Sequence, residues 1–241
     1  MRIDPQAPGP PRCNNDAVTH SSASEELPQH EDAFSRPPKR IPGDWSAHLA
    51  TTLDRLADLL DELDGSQWEA PSLCEGWRIR DVVGHLLWRL GEHSGTMLRS
   101  GVRAARRARL SPSRAISEIA VREGSAAPEE LVSRLRAIGE EKLQGIGRTG
   151  IIELTEAVVH TYDITEALGL PIRLSPHSTG AVALAHVRSI ARGKSARIVR
   201  RRSLRATDAR WVIGQGSPVD ATAGEIIMHL FGRRELRRPR D

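Results

Sequence analysis

Aromatic residues make up only 3% of this 241-residue chain, which leaves few flat side chains on which nucleic-acid bases could stack. Cysteine is scarcer still. Cys13 and Cys74 are the two, too few for a disulfide framework, and Cys74 reads as a packed thiol rather than a nucleophile. Apolar runs stop short of the about 18 residues that a membrane span requires, and the Pro-rich N-terminus lacks the apolar segment of a secretory signal. These absences lead to an expected cytoplasmic location and no membrane partner. Lysine is also sparse, so the formal charge of +4 comes mainly from arginine.

The arginines are grouped. Arg103, Arg106, Arg107 and Arg109 form one cluster, Arg197, Arg200, Arg201, Arg202 and Arg205 a second, and Arg233, Arg234, Arg237, Arg238 and Arg240 a third. Clustered guanidinium groups can neutralise phosphates. They sustain an alternative function, a non-catalytic helical-bundle regulator that binds nucleic acid or a protein partner. No nucleic-acid motif accompanies them, however, and Arg-rich, Lys-poor usage is what a high-GC coding sequence produces. Nucleic acid is therefore not the expected partner.

Residues 1–42 carry repeated prolines among Ser, Asn, Asp and Glu. This composition predicts a disordered tail. From Trp45 the apolar spacing becomes three to four, which predicts a helix over 45–63 with Asp44 as its cap. A loop is expected over 65–75 and a second helix over 79–100. Residues 103–125 read as an irregular crossover, because Pro112 breaks any single long helix. Further helices are predicted over 128–143, with Pro128 in the first turn, over 151–168, ended by Gly169, and over 175–192. Residues 203–207 and 211–214 read as a small hairpin, followed by a last helix over 221–232 with Asp220 as its cap. The fold class is thus mainly α: a helical bundle over 43–194, a small α+β module over 195–233 that packs on it, and a basic tail over 234–241.

Within the 151–168 helix, Glu156 and His160 stand four residues apart. At 3.6 residues per turn the carboxylate and the imidazole project from one face. Ile152, Thr155, Val158 and Val159 flank them, so the pair lies at or near a core that disfavours polar groups lacking a partner. Taken alone, the pair is compatible with a chelate, a hydrogen-bonded couple or a solvated helix face. His85, in the stretch Ser72-Leu-Cys-Glu-Gly-Trp-Arg-Ile-Arg-Asp-Val-Val-Gly-His-Leu-Leu-Trp88, is a third candidate ligand. It falls beside the apolar stripe of its helix, not on it. Asp163, three residues past His160, either accepts a hydrogen bond from a ligand imidazole or pairs with an arginine.

Cys74, Gly76, Trp77, Asp81, His85 and Leu86, followed by Glu156, His160 and Asp163, resemble the mycothiol-dependent maleylpyruvate isomerase family over roughly residues 45–169, and more weakly over 204–233. The resemblance implies a DinB-like four-helix bundle, with His85, Glu156 and His160 as ligands of a divalent metal such as zinc. Two imidazoles and one carboxylate suit such an ion and leave coordination positions open. It further implies that the metal binds the sulfur of mycothiol, and that the thiolate attacks a small electrophilic substrate, by isomerisation or by thiol transfer. Arg233, at the end of the last helix, is the candidate for a catalytic arginine at the pocket rim, beside Asp163. No nucleophile of the chain's own is expected near the metal.

Residues 1–42 bury too little apolar surface to offset the entropy of ordering them. Deleting residues 1–40 is therefore expected to leave cooperative unfolding and metal content unchanged. A truncated protein that melts without cooperativity would show that the segment belongs to the fold.

Overall fold

The computed structural model describes residues 44–91, 102, 112–189 and 194–236. The tail expected over 1–42, with Cys13, lies outside these residues, as do His93, Arg103, Arg106, Arg107, Arg109, Arg237, Arg238 and Arg240. The part of the 79–100 helix beyond Gly91 lies outside them too.

Helix α1 (Ser46–Asp61) has Trp45, not the expected Asp44, at its N-cap position; Asp44 stands one residue earlier, where its Oδ1 accepts the Ser46 amide at 2.9 Å and so satisfies one of the donors that every helix start leaves without an intrahelical partner. Leu49, Leu53, Leu56 and Leu60 recur along one face and are fully buried. Helix α2 (Gly65–Glu69) occupies part of the expected loop. Asp64 Oδ1 accepts from Gln67 N, and Gln67 Oε1 accepts from Asp64 N, both at 2.9 Å. This reciprocal capping box nucleates a turn too short to show apolar periodicity.

Helices α3 (Ile79–Gly91), α4 (Pro112–Glu123), α5 (Pro128–Leu143), α6 (Ile151–Leu168) and α7 (Pro176–Ser189) follow. A four-helix bundle is built from α1, α5, α3 and α6, each packing on the next and α6 closing the ring onto α1. Its core joins Leu53 and Leu56 of α1, Val82 and Leu86 of α3, Leu135 of α5 and Leu154 and Val158 of α6. Helix α7 packs on the outside of α6.

Helix α4 occupies residues 112–123 of the stretch expected as a crossover over 103–125, whose residues 103–111 lie outside the described ones. Pro112 is its first described residue, and a first-turn residue needs no amide hydrogen. Helix α4 lies along α3, which is why α3 is buried on nearly every side, His85 included. The two helices meet at glycine: a Cβ on Gly84 would lie 2.8 Å from Gly124 Cα and closer still to the Ala120 carbonyl oxygen.

The C-terminal module comprises α8 (Lys194–Arg201), β1 (Arg202–Ala206), β2 (Val212–Gly214), β3 (Ser217–Ala221) and α9 (Ala223–Leu230). The hairpin is present, with Leu204 opposite Ile213. Helix α8 and strand β3 were not expected. Strand β3 pairs parallel to β1 on its other edge, Arg202 opposite Ser217 through Ala206 opposite Ala221. Parallel neighbours normally need a long crossover. Here the chain passes from one edge to the other within two residues, crossing the end of α8 at Gly214 (φ +97°) and Gly216 (φ +101°). A Cβ at either position would strike the Arg202 or Arg201 carbonyl, so only glycine permits the passage. Helix α9 is capped by Thr222, not Asp220, in a capping box with Glu225. Asp220 instead pairs with Arg205 at 2.7 Å. A second core of Leu204, Trp211, Ile213, Ile226 and Leu230 packs on Ala183 of α7, and Trp211 Nε1 donates to Thr179 Oγ1 of that helix at 2.9 Å. No helix among the described residues is long and apolar enough to cross a membrane.

Gly84→Ala is expected to cost about 1–3 kcal/mol, because the added methyl group forces α3 and α4 apart. Gly65→Ala, whose Cβ would meet nothing within 4 Å, is expected to stay within about 0.5 kcal/mol of wild type. Urea midpoints of the two variants check the contrast, and equal midpoints would refute the close approach.

Candidate metal centre

Helix α6 carries Glu156 and His160 one turn apart, and α3 presents His85 across the bundle interior. Glu156 Oε2 lies 3.2 Å from His85 Nε2 and 3.3 Å from His160 Nε2. The three donor atoms lie within 4.8 Å of one another, with both histidines buried and Glu156 half-buried. The two imidazole rings meet edge to face with centroids 4.8 Å apart. Helical spacing on α6 and the packing of α3 against it are sufficient to bring these atoms to one point.

Behind His160 sits Asp163, fully buried at 0% exposure. His160 Nδ1 is 2.9 Å from Asp163 Oδ2, which fixes the ring and turns Nε2 toward Glu156. Arg233 Nε donates to Asp163 Oδ1 at 3.0 Å. Asp163 therefore serves an imidazole and an arginine at once. Arg233 arrives from the last helix through a left-handed turn. Gly232 has φ +76° and donates to the His229 carbonyl at 3.1 Å, and the Arg233 amide donates to the Met228 carbonyl at 2.8 Å. This doubly bonded C-terminal turn reverses the chain and directs Arg233 to the bundle. Arg234 pairs with Glu166 of α6 at 3.1 Å.

Cys74 completes this layer. Its thiol donates to Asp163 Oδ2 at 3.1 Å and lies 3.6 Å from both His160 Nδ1 and Arg233 Nη2. The loop that carries it is pinned by the Leu73 amide, which donates to the Asp163 carbonyl at 3.1 Å. A nucleophilic side chain of the chain's own thus lies beside a candidate ligand, contrary to expectation. It stands on the Nδ1 side of the ring, away from Nε2, and its hydrogen bond is committed to Asp163. Cys74, His160 and Asp163 also lie within metal-ligating distance of one another. Arg233 already supplies the positive charge there, so this second convergence is a support for His160.

On the other side, Trp77 lies against both rings, with centroids 5.1 Å from His85 and 6.3 Å from His160. Its indole nitrogen donates to Ser117 Oγ of α4 at 3.1 Å. His85 Nδ1 is buried and meets no hydrogen-bond partner among the described residues, so on that side the ring is held by packing against Trp77 and Trp88. The second oxygen of Glu156 faces Arg89 Nε at 3.3 Å. Arg89 also reaches Glu153 Oε1 at 3.5 Å, and Arg148 Nε reaches the same oxygen at 3.3 Å.

Burial favours the neutral form of every group here, yet the outcomes differ. Burial pushes His85 down, against a weaker pull from Glu156. For His160, burial is outweighed by hydrogen bonds to Asp163, Cys74 and Glu156, which raise it well above its ordinary value. Burial likewise opposes the Glu156 carboxylate, but hydrogen bonds from His160 and His85 hold it well below the usual carboxylate range. Glu156 Oε2 thus faces both imidazoles at the point where the three donors converge. A divalent ion there would replace a proton, and the donor set of two imidazoles and one carboxylate fits such an ion.

The remaining histidines lie elsewhere. His48 and His177 stack with Trp45, and His48 Nδ1 is 3.1 Å from Ser178 Oγ. His186 Nε2 is 2.9 Å from the Leu230 carbonyl. Sequence reasoning overlooked Cys74, Arg89 and Glu153 as neighbours of the site. A signal for the last two was present: Arg89 follows His85 by four residues and Glu153 precedes Glu156 by three, each a charge on the ligand face of its own helix.

Residues 49–165 match the mycothiol maleylpyruvate isomerase N-terminal domain family. The matched span includes His85, Glu156, His160 and Asp163 and stops short of Arg233. The four-helix bundle that the resemblance implied is present. Among solved structures, the chain is similar to a mycothiol-dependent maleylpyruvate isomerase, at 16% identity and a TM-score of 0.43, over 78% of this chain and 88% of that one. A point mutant of such an isomerase is similar at 15% identity and a TM-score of 0.42, with the same coverage. The chain matches no curated protein.

Asp163→Ala is expected to destabilise the metal-free protein by about 3–5 kcal/mol at neutral pH, because it leaves Arg233 and His160 without their buried counter-charge. Burial raises the Asp163 carboxyl, but His160, Cys74 and Arg233 together bring it below its ordinary value. The contribution is therefore present above about pH 4 and is lost as pH falls through the depressed value. Urea denaturation of wild type and variant across that range checks both statements. A cost under about 1 kcal/mol would mean that the carboxylate is solvated.

Proposed function

We propose that this chain is a metal-dependent, mycothiol-using isomerase or thiol transferase acting on a small electrophilic substrate, in the manner of maleylpyruvate isomerase. The observation that carries this reading is the convergence of His85 Nε2, His160 Nε2 and Glu156 Oε2 inside the span that matches that family. His85, Glu156 and His160 are the proposed ligands and zinc the proposed ion. The bundle over 43–194 holds them, and the module over 195–233 closes one side. A cytoplasmic location goes with the reading, since a low-molecular-weight thiol is met there.

When bound, a zinc-like ion and the sulfur of mycothiol supply a thiolate near neutral pH, able to add reversibly to an activated double bond or to remain on an electrophilic carbon. The chain's own residues prepare that chemistry. Asp163 holds His160 in the tautomer that bares Nε2. Glu156 is occupied by the histidines and Arg89, and Glu153 by two arginines, so neither carboxylate is available as a general base for water. Hydrolysis is disfavoured on that ground. Trp77 shields both imidazoles and keeps water from their faces. Arg233, about one-third exposed while bound to Asp163, offers a fixed cation for a carboxylate of the substrate or a polar group of the thiol.

His85→Ala, Glu156→Ala and His160→Ala are each expected to lower zinc affinity by more than about 100-fold while preserving helix content, a larger loss than supporting residues produce. Equilibrium dialysis and circular dichroism read the two effects. Turnover of maleylpyruvate and related electrophiles is expected only with mycothiol present and is expected to fall in Arg233→Ala. Unchanged zinc affinity in all three variants would overturn the ligand assignment, and equal turnover without a thiol would overturn the cofactor.

A further inference from the structure

The two oxygens of Glu156 have different surroundings. Oε2 faces both imidazoles, whereas Oε1 faces the Arg89 guanidinium at 3.3 Å. Arg89 stands one helical turn beyond His85 on α3, so ligand and guanidinium share a face opposite α6. Its contacts extend to Glu153 and Arg148. Arg89 Nη1 reaches Glu153 Oε1 at 3.5 Å, Arg148 Nε reaches the same oxygen at 3.3 Å, and Arg148 Nη2 donates to the carbonyl of Arg89 itself at 2.6 Å. Glu153 is a buried carboxylate, 6% exposed. Such a group is stable only with its counter-charges fixed around it, so Arg89 is locked in place from behind.

We propose that Arg89 is a positioning residue that holds Glu156 as a one-oxygen ligand, with Glu153 and Arg148 as the clamp that holds Arg89. This rests on the proposed metal site. A carboxylate beside a divalent ion can turn to bind through both oxygens or swing away. A guanidinium on Oε1 opposes both movements and keeps a coordination position open for the incoming sulfur. It also withdraws charge from the carboxylate, which makes the ion a stronger Lewis acid. His160 is oriented through Asp163, and Glu156 through Arg89, so each α6 ligand has its own support, of opposite charge. His85 has no such charged support behind its Nδ1, which meets no hydrogen-bond partner among the described residues.

The test uses the full chain loaded with cobalt(II), whose visible absorption reports the number and type of ligands independently of turnover. Arg89→Gln is expected to weaken cobalt affinity about 10–100-fold, the range for groups that orient ligands, and to shift the absorption toward a higher coordination number. Arg89→Lys keeps the charge but reaches one carboxylate at a time, so partial recovery is expected. Arg89→Gln with Glu153→Gln removes the buried charge that the single variant leaves with Arg148 alone of its two arginines. It is expected to melt cooperatively and keep the altered spectrum. Wild-type affinity and spectrum in Arg89→Gln and in the double variant, alongside lost affinity in Glu156→Gln, would overturn the role of Arg89 and leave the metal site standing. Equal affinity in wild type and in Glu156→Gln would overturn the metal site and this role together.

Discussion

The carboxylate of Asp163 is the group on which the rest of the arrangement depends. It is removed from water altogether, a position that an ionised side chain occupies only when its oxygens are taken up. Three separate parts of the chain take them up: His160 from the same helix, Cys74 from the loop before α3, and Arg233 from the end of the module. Its backbone carbonyl holds Leu73 as well. Removing the carboxylate would release the thiol, the ring and Arg233 together. The oriented imidazole and the seating of the C-terminal turn on the bundle therefore depend on one desolvated charge. This is also why the thiol of Cys74 acts as a hydrogen-bond donor within a packed layer.

How much of this was legible in the sequence varies with the length of each element. The helix over 151–168 matches its observed limits, because Gly150 and Gly169 punctuate both ends and apolar residues fill the interval. The helix over 128–143 matches too, marked by Pro128 and the glycines after Leu143. Helix α2 and strand β3 escaped because each spans five residues, fewer than periodicity needs to distinguish a pattern. Strand β3 also depends on Gly214 and Gly216 passing beneath a backbone carbonyl, a tertiary relation that no local pattern encodes. Helix α4 illustrates a different limit, since a proline marks a helix boundary without saying whether a helix follows it, and α4 is held by its packing along α3.

The site shows the same division. Glu156 and His160 declare themselves by spacing on one helix. His85 does not, because α3 is covered by α4, α5 and α6 and has no polar face against which an inward histidine would stand out. Its candidacy came from resemblance, and the structure places its Nε2 against Glu156. Asp163 was readable as a partner of histidine or of arginine, and the fold supplies both. Arg89 and Glu153 carried a visible signal, charge inside apolar helices, but resembled ordinary solvated positions until α3 and α6 were brought face to face.

The arginines illustrate how composition misleads when position is unknown. Clustering suggested a surface for polyanions, yet the first two members of the third group turn inward or along the bundle, Arg233 to Asp163 and Arg234 to Glu166. Arg89 and Arg148 belong to no cluster, and they neutralise Glu153 beside the site. A metal centre built from one carboxylate and two imidazoles needs its anions neither swamped nor free. Guanidinium groups satisfy this because they bind two oxygens in a fixed plane and retain their charge when buried. In a chain with so little lysine, arginine sets the charge around the site, and the residues that matter there are those facing α6, wherever they stand in the sequence.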